Sequence, residues 1–212
     1  MKMKHRFIFI GMLALLATAC SDKKSSNSEN KAEEPVTGLA IDENSFPDPA
    51  FRAALMGTDA GEVGILTHEE LTDFSLLDVS DKGITDLTGV EHFPYLNFIN
   101  VNYNPLRKLD LSKNGTLTEL YCVGCQQLTT LTLGAQPKME KLNFGASGVR
   151  ELDVTQCPSL EMLFCPDTPI ANIDLSGCPK LQEICCDVTL IPALDLTACP
   201  GATFVDGSGE PI

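Results

Sequence analysis

The chain contains no tryptophan and only three tyrosines, and aromatic residues make up 6% of its 212 positions. Hydrophobic residues reach 43%, so the core is expected to be built from aliphatic side chains. Basic residues are also few: 15 lysines and arginines stand against 29 aspartates and glutamates, which gives a formal charge of −14. An acidic surface of this kind repels phosphate backbones, and we therefore expect no nucleic-acid partner.

The apolar run at the N-terminus is too short to cross a bilayer. Residues 7–16 are apolar, whereas a membrane span takes about 20 such residues. Three basic residues among the first six precede this run, and the small residues 17–19 and then Cys20 follow it. A cationic start, a short apolar run and small residues together form the layout of a signal peptide.

The segment that ends at Cys20 resembles a bacterial lipoprotein signal, in which the cysteine becomes the lipidated first residue of the mature protein. The alternative is an ordinary secretory signal. Residues 21–30 are polar, which is typical of a disordered tether. We predict a signal peptide over 1–19, lipidation at Cys20 and a flexible tether over 20–36. The mature protein is then expected outside the cytoplasm, anchored to the outer membrane or cell surface.

An internal repeat occupies about two thirds of the chain. Its copies share a frame of apolar positions that recurs every 21 or 22 residues. One such unit cannot bury its own apolar stripe, whereas stacked units bury the stripes of their neighbours. The six copies begin at Phe74, Leu96, Leu117, Met139, Leu160 and Leu181, and a partial seventh has Ala202, Val205 and Gly207 at the matching positions.

The second copy, Leu96 to Leu109, follows the pattern L-x-x-L-x-L-x-x-N-x-L-x-x-L throughout, with Asn104 at the asparagine position. The repeat resembles the leucine-rich repeat, and the chain resembles internalin-like bacterial surface lipoproteins with such repeats. The resemblance implies a solenoid of about six coils of 21–22 residues with short parallel strands. Other copies replace the asparagine by residues that satisfy the turn only in part, namely Lys82, Cys125, Ser147, Thr168 and Thr189.

A second segment in each copy alternates apolar and polar residues about eleven positions after the first, as in Leu109 to Ser112. This alternation indicates a strand, and the segment is too short for a helix. We therefore predict extended segments on both sides of each coil, and a flat solenoid rather than a horseshoe backed by helices.

Residues 37–73 carry two helix-start signals. Asp48 and Pro49 are typical of an N-cap and the first helical position. Thr67 and Glu70 form a capping box that opens a second short helix ending near Phe74. The block resembles the N-terminal cap of bacterial repeat proteins. We predict a helical cap over 37–73 and repeats with a short C-terminal tail over 74–212, with Phe204 and Val205 covering the last coil.

Six of the nine cysteines recur at the spacing of the repeat, and we predict that they are buried as free thiols. Disulfides between coils are the alternative, although parallel side chains suit disulfide geometry poorly. Cys122-x-x-Cys125 suggests zinc or redox chemistry only superficially. Cys185 is expected to face outward as the most reactive thiol. The six are Cys122, Cys165 and Cys186 in the first strands, and Cys157, Cys178 and Cys199 in the turns after the second strands.

Catalytic and metal-binding patterns are weak. Residues 59–70 have the length of a calcium loop, but Gly61 and Val63 occupy positions that need oxygen side chains. His68 and His92 lie in no catalytic motif, and no phosphate loop or nucleophile elbow is present. The aspartates that follow the second strands recur with the repeat, which favours a structural role. We therefore predict no enzyme activity, no metal site and no cofactor.

The outward side chains of the first strands form what we call the first-strand face. Exposed aromatic residues and methionine are enriched in binding patches, and they cluster there. We predict a partner protein or peptide first, a glycan second and self-association into an envelope structure third, the first implying recognition or adhesion at the cell surface. The predicted site residues are Phe98, Asn100, Asn102, Tyr103, Glu119, Tyr121, Lys141, Asn143, Met162 and Phe164.

Overall fold

The computed structural model describes residues 37–58, 64–186 and 194–205. The predicted signal peptide, Cys20 and the tether lie outside these residues, as do the first half of the calcium-like loop, Thr189 and Gly207.

Two helices and a small two-stranded sheet precede the repeats. Asp48 caps the first helix with Pro49 at its start, and Thr67 and Glu70 form both halves of the predicted capping box. Both helix predictions are therefore confirmed. The two-stranded sheet was not predicted, because its three-residue strands have no distinct pattern. The elements are β1 (Gly38–Ala40), α1 (Pro49–Met56), β2 (Ile65–Thr67) and α2 (His68–Asp73), and β1 pairs with β2 in antiparallel orientation.

The repeats form a parallel sheet with one strand for each coil. Neighbouring strands align the second apolar position of the repeat, so that Ile99 pairs with both Leu77 and Leu120. The predicted period therefore sets the register of the sheet. The strands are β3 (Leu76–Asp78), β4 (Phe98–Asn100), β6 (Glu119–Tyr121), β8 (Lys141–Asn143), β9 (Met162–Cys165), β10 (Glu183–Cys186) and β11 (Thr203–Phe204), in the order β11-β10-β9-β8-β6-β4-β3.

A second, smaller sheet lies on the other side of the coils. It contains β5 (Lys108–Asp110) and β7 (Thr130–Thr132), which pair in parallel. A single parallel bridge between Asp153 and Asp174 continues the same side. In the described part of the repeats the one helical segment is a 3-10 turn, Val90–His92. The prediction of a solenoid with few helices is confirmed, whereas extended segments on the second side are found in the coils of β5, β7, Asp153 and Asp174 but not in the first coil.

The core is aliphatic within most coils but aromatic at the N-terminal end. Phe46 packs edge-on against Phe51, with ring centroids 5.6 Å apart, and Phe74 lies 4.6 Å from Phe93. The expectation of a purely aliphatic core is therefore wrong at this end, where wide rings close the gap between the helices and the first coil. Gly89 is required there, since an added Cβ would lie 2.3 Å from the ring of Phe46.

Asp48 joins the first helix to the first coil. Its Oδ1 accepts hydrogen bonds from the backbone N–H groups of Ala50 and Phe51 at 2.8 and 2.9 Å. Its Oδ2 accepts from Thr85, through both N–H and Oγ1, and from the N–H of Asp86. Burial alone would raise the pKa of this carboxyl, but the hydrogen bonds led by Thr85 outweigh it and the pKa is lowered. One side chain, only 4% exposed, therefore caps α1 and anchors it.

The asparagine position of the repeat behaves as its chemistry predicts. Asn104 accepts from the N–H groups of Lys82 and Ile84 and donates to three carbonyls, so it joins two coils. Cys125 donates once, to the carbonyl of Val101 at 3.3 Å, and Thr168 donates once, to its own coil. The residues that replace the asparagine therefore satisfy only some of the backbone hydrogen-bonding groups of the turn.

Candidate functional site

The first-strand face consists of half-buried side chains that stand in register from coil to coil. Asn100 lies opposite Asp78 and Tyr121, and Asn143 lies opposite Tyr121 and Phe164. Neighbouring parallel strands are about 4.8 Å apart, so these side chains form continuous rows. The period-two alternation of each strand puts every second residue on this face, and the intervening residues enter the core.

Four predicted residues are linked at the centre of the face. The rings of Phe98 and Tyr121 lie 5.6 Å apart, in a tilted arrangement. The hydroxyl of Tyr121 donates to Glu119 Oε2 at 2.8 Å, and Glu119 Oε1 lies 3.3 Å from Lys141 Nζ. Burial raises the pKa of Tyr121 to about 12, with further contributions from the hydrogen bond and charge of Glu119. The tyrosine therefore stays a neutral donor, and the four side chains hold one another in place.

Hydrogen bonds accepted by their side-chain oxygens orient the asparagines of the first-strand face. Asn102 Oδ1 accepts from the N–H of Val123 at 2.7 Å, and Asn143 Oδ1 accepts from the N–H of Gly145 at 3.1 Å. Asn100 Oδ1 accepts from the N–H of Asn102, and its amide nitrogen donates to Asp78. Among the described residues the amide nitrogens of Asn102 and Asn143 have no acceptor, so both are available to a ligand.

Tyr103 lies at the edge of the face and has an unusual backbone. Its φ is +59°, in the left-handed region that bulky residues rarely adopt. The equivalent turn positions hold Asp81, Gly124, Ala146 and Asp167, all with positive φ. The side chain is 64% exposed and lies over Gly124, where an added Cβ would be 2.5 Å from the ring. The ring of Tyr103 is thus exposed to solvent, and its left-handed backbone conformation costs about 1–3 kcal/mol of strain.

Met162 and Phe164 are half-buried on β9, as the alternation predicts. The prediction for Cys185, the next residue in the row of Phe164, is wrong, because Cys185 is only 4% exposed. A thiol is much smaller than a phenyl ring and does not reach past its neighbour. Cys186, which was expected inside, is partly exposed. Cys186 nevertheless packs against the core, so it lies on the side that the alternation predicts.

Five of the six thiols that were predicted to be buried are fully buried, and the exception is Cys186. The five are Cys122, Cys157, Cys165, Cys178 and Cys199; Cys125 is also fully buried, and among the described residues none of these six forms a disulfide. Burial raises the pKa of Cys157 to about 11 and that of Cys178 to about 12. The same turn position holds Asn114 and Gln136 in earlier coils, and each of these leaves one buried amide oxygen without a partner. The thiols fill this row as small apolar groups.

We expect Cys157 and Cys178 to resist alkylation in the folded protein. At neutral pH a thiol with a pKa near 11 or 12 is almost entirely protonated, and only the thiolate reacts. The stability that these neutral thiols contribute is complete below their unfolded pKa of about 8.5 and falls as the pH rises toward 11 and 12. Peptide mapping after iodoacetamide treatment, with and without urea, tests this. Rapid labelling of the native protein would contradict it.

The sequence did not predict a groove of about 660 Å³ on the other side of the molecule, which we call the β5 groove. It lies between residues 85–91 and residues 107–113, where β5 meets the first coil. Such a volume is in the range of ligand sites. No sequence motif marks it, because it arises from a missing strand rather than from particular residues.

Neither a metal cluster nor a membrane-spanning helix is found in residues 37–58, 64–186 and 194–205. No three histidine, cysteine, aspartate or glutamate side chains of these ranges could hold a metal ion together. Their helices are too short to cross a bilayer.

This architecture is a leucine-rich-repeat solenoid. The functional domain of InlJ from Listeria monocytogenes, which includes a cysteine ladder, is similar over 83% of this chain and 49% of its own, with 23% identity and a TM-score of 0.55. An internalin (inlF) from the same organism is similar over 79% of this chain and 58% of its own, with 18% identity and a TM-score of 0.48. The chain thus spans about half the length of these proteins. No protein-family model matches it, and no match was found among curated proteins.

Proposed function

We propose that the protein is a recognition module that binds another protein through its first-strand face. The observation that carries this proposal is the linked set of Phe98, Tyr121, Glu119 and Lys141, which presents two aromatic rings on a rigid sheet. Aromatic side chains that are already held in place lose little freedom on binding, and tyrosine is frequent among the residues that dominate binding energy.

Tyr103 supports the same proposal. A strained, exposed aromatic residue costs stability, and such strain tends to persist at functional sites. Its ring stands at the edge of the face, beside the available amide of Asn102. An exposed ring next to an amide donor also favours a second candidate, a glycan that stacks on Tyr103 and accepts from Asn102.

We place this activity outside the cytoplasm, at the cell surface, with the protein anchored through a lipid on Cys20. The cationic start, the short apolar run and the small residues before Cys20 support the anchor. The polar segment after it would give the solenoid reach from the membrane, which suits adhesion. Mass spectrometry of the protein from its membrane fraction tests the lipid, and replacement of Cys20 by Ser should release the protein.

Binding to surface-protein extracts and to a glycan array tests the proposed face. We expect Tyr121→Ala/Phe164→Ala to weaken the interaction by about tenfold or more, because two aromatic anchors are lost. Thr130→Ala/Thr132→Ala on β7 is the matched control, since both threonines are exposed on the opposite sheet. Equal loss in the control, or full binding by the aromatic variant with its fold intact, would reject the face as the site.

Replacing Tyr103 by asparagine separates stability from binding. Asparagine tolerates the left-handed region, so we expect the free energy of unfolding to rise by about 0.5–1 kcal/mol. Binding is expected to weaken, because the exposed ring is gone. Urea denaturation and titration of the bound partner measure the two effects. A variant that is stabilised and still binds fully would show that Tyr103 has no part in recognition.

A further inference from the structure

The β5 groove is bounded by a strand edge that has no partner. β5 pairs with β7 on one side, and within residues 37–58, 64–186 and 194–205 no strand pairs with its opposite edge. At the equivalent place the first coil has no strand: residues 86 and 87 are irregular, and a turn at residues 88 and 89 leads into the 3-10 turn Val90–His92. The groove occupies the space in which the strand of that coil would otherwise lie.

The backbone of β5 directs hydrogen-bonding groups into this space. The N–H of Leu111 donates to the carbonyl of Thr132, and the carbonyl of Arg107 accepts from the N–H of Thr129. The odd-numbered residues of this segment therefore direct their backbone groups toward β7. Alternate residues of a strand direct their backbone groups to opposite sides. Lys108 and Asp110 therefore point theirs toward the groove, and no backbone hydrogen bond joins them to residues 85–91. Such an edge is a template for an added strand.

The basic and the acidic side chains that line the groove differ in how far their hydrogen-bonding groups are already used. Arg107, Lys108 and Lys113 are exposed and form no ion pair with any described residue. The acidic side chains are engaged by their own turns: Asp86 accepts from Thr88, Glu91 from Gly89, and Asp110 from Ser112. In a chain with a charge of −14, the groove therefore gathers three cations whose hydrogen-bond donors are unused. The three carboxylates of the lining keep their charge when they accept these bonds, so an incoming carboxylate would be attracted by the unused donors of the cations and not by a net positive charge of the groove.

The opposite wall of the groove is fixed before any ligand arrives. Thr85 and Asp86 are held by Asp48 Oδ2, at distances of 2.7 to 3.1 Å. Leu87, Val90 and Leu109 line the groove and belong to the buried core. A peptide would therefore enter a preformed site, and binding would not have to order the walls.

We propose that the β5 groove binds an extended acidic peptide segment of a partner protein, which adds as a strand along the edge of β5. The backbone of Lys108 and Asp110 supplies the strand hydrogen bonds, and Arg107, Lys108 and Lys113 pair with carboxylates of the segment. This site is separate from the first-strand face, and the two can be tested apart.

A library of random short peptides displayed on phage, selected on the purified protein, supplies the probe. Enriched peptides are expected to be rich in aspartate and glutamate. Synthetic copies should lose affinity by about tenfold or more on Arg107→Glu/Lys113→Glu, because attraction becomes repulsion. Lys138→Glu/Lys180→Glu is the matched control, with the same change of charge at two exposed lysines outside the groove.

Lys108→Pro, measured against Lys108→Ala, which loses the same ammonium group but keeps the N–H, tests the strand itself. Proline removes the N–H that points into the groove, and a strand edge tolerates it because this N–H is not used by β7. We expect about tenfold weaker peptide binding with little change in the urea midpoint, whereas Tyr121→Ala/Phe164→Ala should bind the peptide normally. Should Lys108→Pro fail to fold, amide exchange of Lys108 and Asp110 in the wild-type protein, which must slow on peptide binding, replaces it. No enrichment of acidic peptides, equal loss in the lysine control, or unchanged exchange would overturn the proposal.

Discussion

Asp48→Ala is expected to lower the free energy of unfolding by about 3 kcal/mol, one of the largest effects of any single polar substitution in this protein. Loss of an N-cap costs about 1 kcal/mol, and leaving the N–H groups of Thr85 and Asp86 without an acceptor adds a similar amount for each. Since folded proteins are stable by about 5–15 kcal/mol, the loss is a large fraction of the total. Urea denaturation followed by circular dichroism measures it.

Asp48→Asn separates the two roles of the side chain. Asparagine keeps an oxygen that can cap α1, but its amide nitrogen cannot accept from Thr85. The asparagine variant should therefore lose about 2 kcal/mol, mainly in the contact between α1 and the first coil. If it proved as stable as the wild type, the contact between Asp48 and Thr85 would contribute nothing.

The same carboxyl predicts a dependence on pH. Its pKa is lowered in the folded state, so its contribution to stability is complete above the unfolded value of about 4. That contribution is lost as the pH falls through the lower folded value. The difference in stability between wild type and Asp48→Ala should shrink correspondingly below pH 4, and a difference that stayed constant down to strongly acidic pH would contradict the assignment.

Gly177→Ala is expected to cost about 3 kcal/mol, because a Cβ there would overlap the backbone of the preceding coil. The added atom would lie 1.9 Å from the carbonyl oxygen of Thr155 and 2.4 Å from its carbon. Backbone atoms cannot rotate away as a side chain can, so the two coils must separate locally.

Gly201→Ala is the matched control in the same solenoid. No atom of the described residues lies within 4 Å of the Cβ that it would add, so its unfolding midpoint should stay close to that of the wild type. The comparison uses thermal denaturation of both variants. Equal stability of the two variants would mean that the close approach of the coils at Gly177 is not needed for the fold.

The features that could be predicted from sequence are those encoded by neighbouring residues or by the repeat. The capping box of Thr67 and Glu70 is complete within four residues, and the register of Leu77 with Ile99 follows from the period. The rows of the first-strand face follow from the same period combined with alternation. The sequence therefore predicts that the outward side chains of residues 98–121 lie together on this face.

The remaining features depend on contacts between distant parts of the chain. Asp48 was predicted as a helix cap, but its second partner, Thr85, is 37 positions away and no pattern links them. The β5 groove lies between residues 85–91 and 107–113, which are about 22 positions apart, and no motif in either segment marks it. The burial of Cys185 depends on the size of its neighbour Phe164, which the alternation of inward and outward residues along a strand does not take into account.

The row formed by Asn114, Gln136, Cys157, Cys178 and Cys199 has a consequence for how the protein can change in length. An amide in this row must meet the carbonyls of the coil before it, as Asn114 does with Val90 and Phe93. A buried thiol makes weaker demands, and the three cysteines are spaced by 21 residues. Cys178 donates only one bond to the preceding coil, to the carbonyl of Val154 at 3.3 Å. We therefore expect a coil to be duplicated or deleted at this end at a lower cost in stability than beside Asn114 and Gln136, whose amides bind the coil before them.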